Sequence, residues 1–233
     1  ISIQLLSQTK LKKPKNKIDT IQKLDEVIIN SNLIFGNKYV ASNRTGSAYY
    51  ISPKELKKFS FTDINRALRT VPGVNTYEED GFGLRPNISL RGTSPERSSK
   101  ITMMEDGVLI APAPYSASSA YYFPTIARME AVEVLKSSSQ IQYGPFTTGG
   151  AINMISNQIP ESFGGRIRSS YGSFNSSQFH AIIGDNINNF GYSLEYLNYG
   201  SDGFKKLSND INTGFDKNDM VLKFKVNLFP QAA

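Results

Sequence analysis

The chain has 233 residues, enough for one or two domains with a real core, and its 11% aromatic and 20% charged content marks folded rather than disordered structure. Cysteine is absent and His180 is the only histidine, which excludes a disulfide framework, thiolate metal sites and a cysteine nucleophile, and argues against a histidine-based zinc or haem site. The net charge of +6 suits an anionic partner, but Lys10, Lys12, Lys13, Lys15 and Lys17 crowd into one run without an interleaved aromatic, so a solvated tail is favoured over a nucleic-acid arm.

Residues 1–45 are polar and basic. No stretch of the chain approaches the ~20 apolar residues of a membrane-crossing helix. The start "ISIQLL" carries its basic residues after the apolar run, unlike a signal peptide, and the initial Ile fits a processed or trimmed start. One apolar island stands out, "DEVIIN", with Asp25, Glu26, Val27, Ile28 and Ile29. It reads either as a strand of the chain's own sheet or as an exposed extended segment able to add to a partner's sheet edge.

Residues 46–160 mix short helical and strand signals with many glycines and prolines. "SFTDINRALRTVPGV" predicts a helix capped by Thr62 or Ser60, with Ile64, Leu68 and Val71 on one face and Pro72-Gly73 as the stop. "NISLRG" and "KITMMEDGVLI" predict strands, the second folded back at Asp106-Gly107. "PTIARMEAVEVLK" predicts a short helix running into a strand, and "GGAINMISNQ" a further strand. "QYGPFTTGGAIN" comes close to a phosphate loop but has Gly150 and Ala151 where Lys and Ser or Thr would meet the phosphate. Gly144, Gly149 and Gly150 are therefore expected to serve a sharp turn and close backbone approach, with Tyr143 filling an apolar gap.

Residues 164–230 change character and alternate. Val221, Lys223, Lys225 and Asn227 oppose Leu222, Phe224, Val226 and Leu228, and Tyr192, Leu194, Tyr196 and Asn198 oppose Ser193, Glu195, Leu197 and Tyr199. Alternation alone fits a soluble antiparallel sheet with one wet face as well as lipid-out, lumen-in strands of ~9–11 residues. No paired-carboxylate, Ser–His–Asp or metal-ligand constellation stands out, so neither catalysis nor a cofactor is expected.

In order, the middle region holds "LRTVPGVN", "NISLRG", "MEDGV", "MEAVEVLK" and "IQYGPFTTGGAINMIS". This succession resembles the plug domain of a TonB-dependent outer-membrane receptor, whose pattern is PGV, I-R-G, D-G-V, I-E-V-(L/V)-R-G and Y-G-x-x-x-x-G-G-x-I-N. Each piece is weak alone; five in the right order make a strong signal. The resemblance implies an α+β plug over residues 46–160, then the first antiparallel strands of an incomplete outer-membrane β-barrel over 164–230, with 1–45 as a periplasmic tail. Receptors of this kind close about 22 strands around the plug, so the chain is expected to be an N-terminal fragment. The rival is a soluble periplasmic plug-like binding module without transport.

The resemblance further implies residue roles. Asp25 to Ile29 become a TonB box, engaged by TonB under the ExbB–ExbD energising complex. Arg91 and the position of Lys136 pair with barrel glutamates and lock the plug, with ordinary surface charge as the alternative. Lys136 keeps the charge but not the planar fork, and Ser137 replaces the family's Gly. "MEDGVLIAPAPY" most resembles ferric dicitrate receptors, whose anionic chelate calls for Arg85, Arg97, Lys100, Tyr115 and Ser116 as binding groups. The acidic run Glu78, Glu79 and Asp80 suits a cation instead. Lipid of a Gram-negative outer membrane, rather than nucleic acid, completes the expected partners, with plug and N-terminus facing the periplasm.

Overall fold

The computed structural model describes residues 47–59, 62–110, 122–136, 140, 143, 148–205 and 213–227. The first unit begins with strand β1 (Ala48–Ile51) and helix α1 (Pro53–Phe59). Pro53 occupies the first helical position, where its missing N–H costs nothing. Ahead of it Ser52 and Glu55 form a capping box: the Ser52 amide donates to Glu55 Oε2 at 2.8 Å and the Glu55 amide to Ser52 Oγ at 3.3 Å. Helix α2 (Ile64–Leu68) is capped by Asp63, which accepts from the Asn65 amide at 2.8 Å. Thr62, one of the two expected caps, is thus displaced by its neighbour, a charged and stronger acceptor for the helix's first amides; Ser60, the other, lies outside the described residues. Burial raises the Asp63 pKa above its ordinary value, and the Asn65 amide works against that rise. Ile64, Leu68 and Val71 are buried as expected, and Gly73 turns the chain at φ +76°.

Strands β2 (Val74–Tyr77) and β3 (Asn87–Leu90) form a separate hairpin. Next come β4 (Ile101–Glu105) and β5 (Val108–Leu109), joined by Asp106-Gly107 with φ of 49° and 80°. Two successive left-handed residues match the twist of a two-residue hairpin, as the Asp-Gly pair predicts. A single 3₁₀ turn (Ile126–Arg128) feeds β6 (Met129–Leu135), and β7 (Gly150–Ser156) completes a sheet ordered β1-β6-β7-β4-β5. β7 runs parallel to β4 and antiparallel to β6. Every residue of β7 is buried, and all of β6 but Glu130, because elements cover both faces. The core joins Ile64, Leu68 and Val71 to Ile88, Leu90, Met103, Val132, Val134, Ile152 and Met154.

The second unit is a meander of β8 (Gly164–Gly172), β9 (Ser176–Ile187), β10 (Phe190–Ser201) and β11 (Phe215–Val226), each antiparallel to the next. Among the described residues it does not close: β8 and β11 are its edges. Cross-strand rows show what each face is for. One face carries the row Gly165, Ile183, Leu194, Leu222 and the row Ile167, Ala181, Tyr196, Met220. The other carries Arg168, His180, Leu197, Asp219 and Arg166, Ile182, Glu195, Val221. The first face is turned outward and bare, with Ile167 73%, Met220 72% and Phe224 61% exposed. The α+β unit packs on the second. A soluble sheet would bury its apolar face and wet the other; this one does the reverse, which favours lipid-out strands.

Candidate functional site

The two units meet through polar side chains. Arg128, 1% exposed, ends the 3₁₀ turn and directs both terminal nitrogens at Glu105, at 2.6 and 3.0 Å. Burial alone lowers an arginine pKa, but the Glu105 hydrogen bonds and charge outweigh it and hold the guanidinium above its ordinary value. Across the interface Asp219 lies 3.8 Å from Arg128 Nε and accepts from Thr125 Oγ1 at 2.9 Å. Lys217 donates to the Phe123 carbonyl at 2.6 Å. Lys223 reaches Asp106 at 3.3 Å, the Asn157 carbonyl at 2.9 Å and the Ser156 hydroxyl. Asn157 donates to Glu195 Oε1 at 2.7 Å and accepts from Arg166 at 3.0 Å, while His180 Nε2 sits 2.7 Å from the same Glu195 oxygen. These pairs supply most of the partners that buried charge requires, with Arg128 Nε and Arg166 Nε left without a hydrogen bond among the described residues.

A different contact holds the end of the sheet near residues 202–215. Asp80 organises the loop after β2: its Oδ1 accepts from the amides of Phe82 at 2.6 Å and Gly83 at 2.7 Å, and its Oδ2 from Arg85 at 2.9 Å. Phe82 then packs with tilted rings against Phe204 and Phe215, centroids 5.4 and 4.7 Å away. The acidic run expected to suit a cation is therefore partly employed elsewhere, since Asp80 binds backbone and Glu78 pairs with Arg69 at 2.7 Å.

Of the expected chelate-binding groups, Arg85, Arg97 and Lys100 are exposed. The Arg97 amide donates to Asn87 Oδ1 at 2.7 Å and Ser98 Oγ to the Pro86 carbonyl at 3.0 Å, so the Arg97 turn packs beside Arg85's own segment. The Lys100 carbonyl accepts from the Gly149 amide at 2.7 Å, placing Lys100 at the mouth of the glycine turn. Tyr115, Ser116, Gly144 and the segment Asp25, Glu26, Val27, Ile28 and Ile29 lie outside the described residues. A Cβ on Gly150 would stand 2.2 Å from Leu90 Cδ1 and 2.4 Å from the Leu135 carbonyl oxygen, and one on Gly149 2.8 Å from Thr93 Oγ1. Tyr143 packs against Met104, Leu135 and Ala151, in the apolar gap assigned to it.

Arg91 is exposed and left-handed, at φ 53°. Lys136 is buried, donates to the Pro72 carbonyl at 2.5 Å, and has its pKa lowered first by burial and then by the charge of Arg91. The two cations thus lie close enough to repel. Among the described residues neither reaches a carboxylate within ion-pairing distance.

Residues 41–151 match the family model of the TonB-dependent receptor plug domain. This part of the chain is such a plug. About four-fifths of the chain resembles several solved structures. The unliganded ferric citrate transporter FecA aligns at TM-score 0.65 and 23% identity over 82% of this chain and 30% of that one. The ferric yersiniabactin uptake receptor FyuA from Yersinia pestis aligns at 0.63 and 22%, over 79% and 29%. The siderophore receptor PirA from Acinetobacter baumannii aligns at 0.61 and 20%, over 82% and 30%. These likenesses establish a shared fold of plug and adjoining strands. The chain spans about 30% of the length of the receptors it matches.

The plug's docking residues were the part that sequence reasoning missed. Arg128, Asn157, Asp219 and Lys223 belong to none of the motifs, and Glu105 and Asp106 stand in "MEDGV" only as strand end and turn. A signal was nevertheless present: Lys217, Asp219, Val221 and Lys223 share one strand face, and charges at alternate positions of an otherwise apolar strand call for inward partners.

Proposed function

We propose that this chain carries the plug and first strands of a TonB-dependent outer-membrane receptor for a ferric chelate, ferric dicitrate being the substrate. The observation that carries the reading is the pairing of a plug with strands whose polar face grips it and whose apolar face is bare. That arrangement belongs in a bilayer; it would be an aggregation hazard for the rival soluble periplasmic module. In this reading Arg85, Arg97, Lys100, Tyr115 and Ser116 receive the anionic chelate. TonB, energised by ExbB and ExbD, takes up residues 25–29 by strand addition from the periplasm. Arg91 and Lys136 bind glutamates of further strands, because two repelling cations, one of them buried, need an anion between them. The fork lost at Lys136 makes that lock weaker than an arginine pair.

The test has three readings. Expressed in Gram-negative cells, the chain should fractionate with the outer membrane. Refolded in detergent, it should capture the TonB C-terminal domain, and Ile28→Pro should abolish capture by removing a backbone donor. Ferric citrate should bind, with Arg97→Gln plus Lys100→Gln weakening it by about tenfold, roughly one lost charged hydrogen bond. A soluble chain, TonB capture indifferent to Ile28→Pro, or unchanged chelate affinity overturns the corresponding part.

A further inference from the structure

A cavity of about 410 Å³ separates the plug from the first two strands. On the plug side it is lined by Leu56, Ile126 and Met129, and on the strand side by Arg166, Arg168 and His180. Lys57 stands at its plug rim, and Ser169, Ser170 and Gln178 add neutral polar groups. Among the described residues no carboxylate lines it. Glu195 is engaged by His180 and Asn157, and Glu130 lines the neighbouring cavity on the other side of Arg166. The cross-strand rows place Arg166 and Arg168 midway along the inward face, well away from the Phe82 loop.

Two features say what this space would hold. Arg166 spends one terminal nitrogen on Asn157, yet its Nε is buried with no hydrogen-bond partner among the described residues. A buried, unmet guanidinium donor is costly unless something accepts from it. Arg166 and Arg168 also sit at i and i+2 of one strand, so their backbones are roughly 7 Å apart on the same face. Two guanidiniums at that spacing fit an anion with two or more carboxylates, each taken by a planar fork, and a single carboxylate meets only one. The volume is within the ~300–1,000 Å³ range of small-molecule sites.

We infer that this cavity is a second anion site, specific for di- and tricarboxylates, seated between plug and barrel wall. It deepens the transport reading and rests on it for its role: a chelate leaving the Arg85–Arg97 loops meets a further pair of arginines part-way along the strands. The site itself is a property of this chain's own residues.

The experiment is arginine footprinting of the unaltered chain in detergent, with phenylglyoxal and peptide mass analysis, so that no variant has to fold. Iron-free citrate is the probe, and acetate at equal ionic strength the control. Citrate at a few times its dissociation constant should slow modification of Arg166 and Arg168 by about threefold or more, following occupancy, while acetate should not. Equal rates with and without citrate overturn the site. Equal protection by acetate also overturns it, showing charge screening by an adventitious ion only. Arg85 and Arg97 are scored in the same digest with ferric citrate. Protection there without protection at Arg166 and Arg168 keeps the transport reading and removes the cavity; the converse keeps the cavity and removes the assignment of the loops.

Discussion

The plug sheet and the strand meander use the same residue types in opposite ways. In β7, "GAINMIS" is buried from end to end, so its Ile, Met and Ala face protein on both sides. In β11 the Met, Leu and Phe of "DMVLKFKV" point outward, and Lys223 and Asp219 meet the plug. Apolar character therefore marks the inside of one unit and the outside of the other. A hydropathy reading that ignores period would call both strands alike; the period of two separates them. The difference teaches that the polar face of the meander is its interior, and that its charges count as core.

The most severe way to break that comparison is to remove the interior's central charge. Arg128→Met leaves Glu105 and the nearby Asp219 without their cation, and a chemical-denaturation curve should show a loss of about 3–5 kcal/mol. A charge placed on the other face tests the outside: Leu222→Arg should cost about 2–4 kcal/mol in a bilayer. The same change assayed in the plug's buried strand, at Ile152, should cost as much without any lipid. Close packing in the plug is probed by Gly150→Ala, which pushes a methyl against backbone and should destabilise by about 2–3 kcal/mol. Gly172→Ala, with nothing within 4 Å, should fall within about 0.5 kcal/mol of the parent. Asp63→Ala removes the α2 cap and should cost about 1 kcal/mol.

A pH dependence probes the same plug sheet from another side. Tyr50 has its pKa pushed from 10.0 to about 12, by burial first and then by Glu133 and Glu130. The folded state holds this proton where the unfolded chain releases it, so the stabilisation is complete below pH 10.0 and is lost as pH rises towards 12. Urea midpoints of the parent should fall across that window more steeply than those of Tyr50→Phe.

Much of the fold was legible because its signals are local. Asp106-Gly107 sets a turn through its own dihedrals, Ile64, Leu68 and Val71 define a face within two turns, and alternation over twelve-residue strands survives any change of neighbour. The cap slipped by one residue because Thr62 and Asp63 are adjacent acceptors and only geometry chooses between them. The docking network was hidden for a deeper reason. Arg128 meets Glu105 and Asp219, and Lys223 meets Asp106, through contacts between distant parts of the chain that no spacing rule encodes. Of the candidate binding loops, the chain order placed Arg85 and Arg97 in adjoining segments, while Asp80's use as a backbone acceptor could be read only from the folded loop.

The order of strands also sets a timetable. Each strand of the meander pairs with its predecessor in the chain, across turns of three and two residues after β8 and β9. In the plug, β1 must find residues 132–135, and β4 stays without its parallel partner until β7 exists. Long loop closures are slow. The pairings of β1 and β4 in the plug are therefore long-range, whereas each pairing of the meander joins consecutive strands.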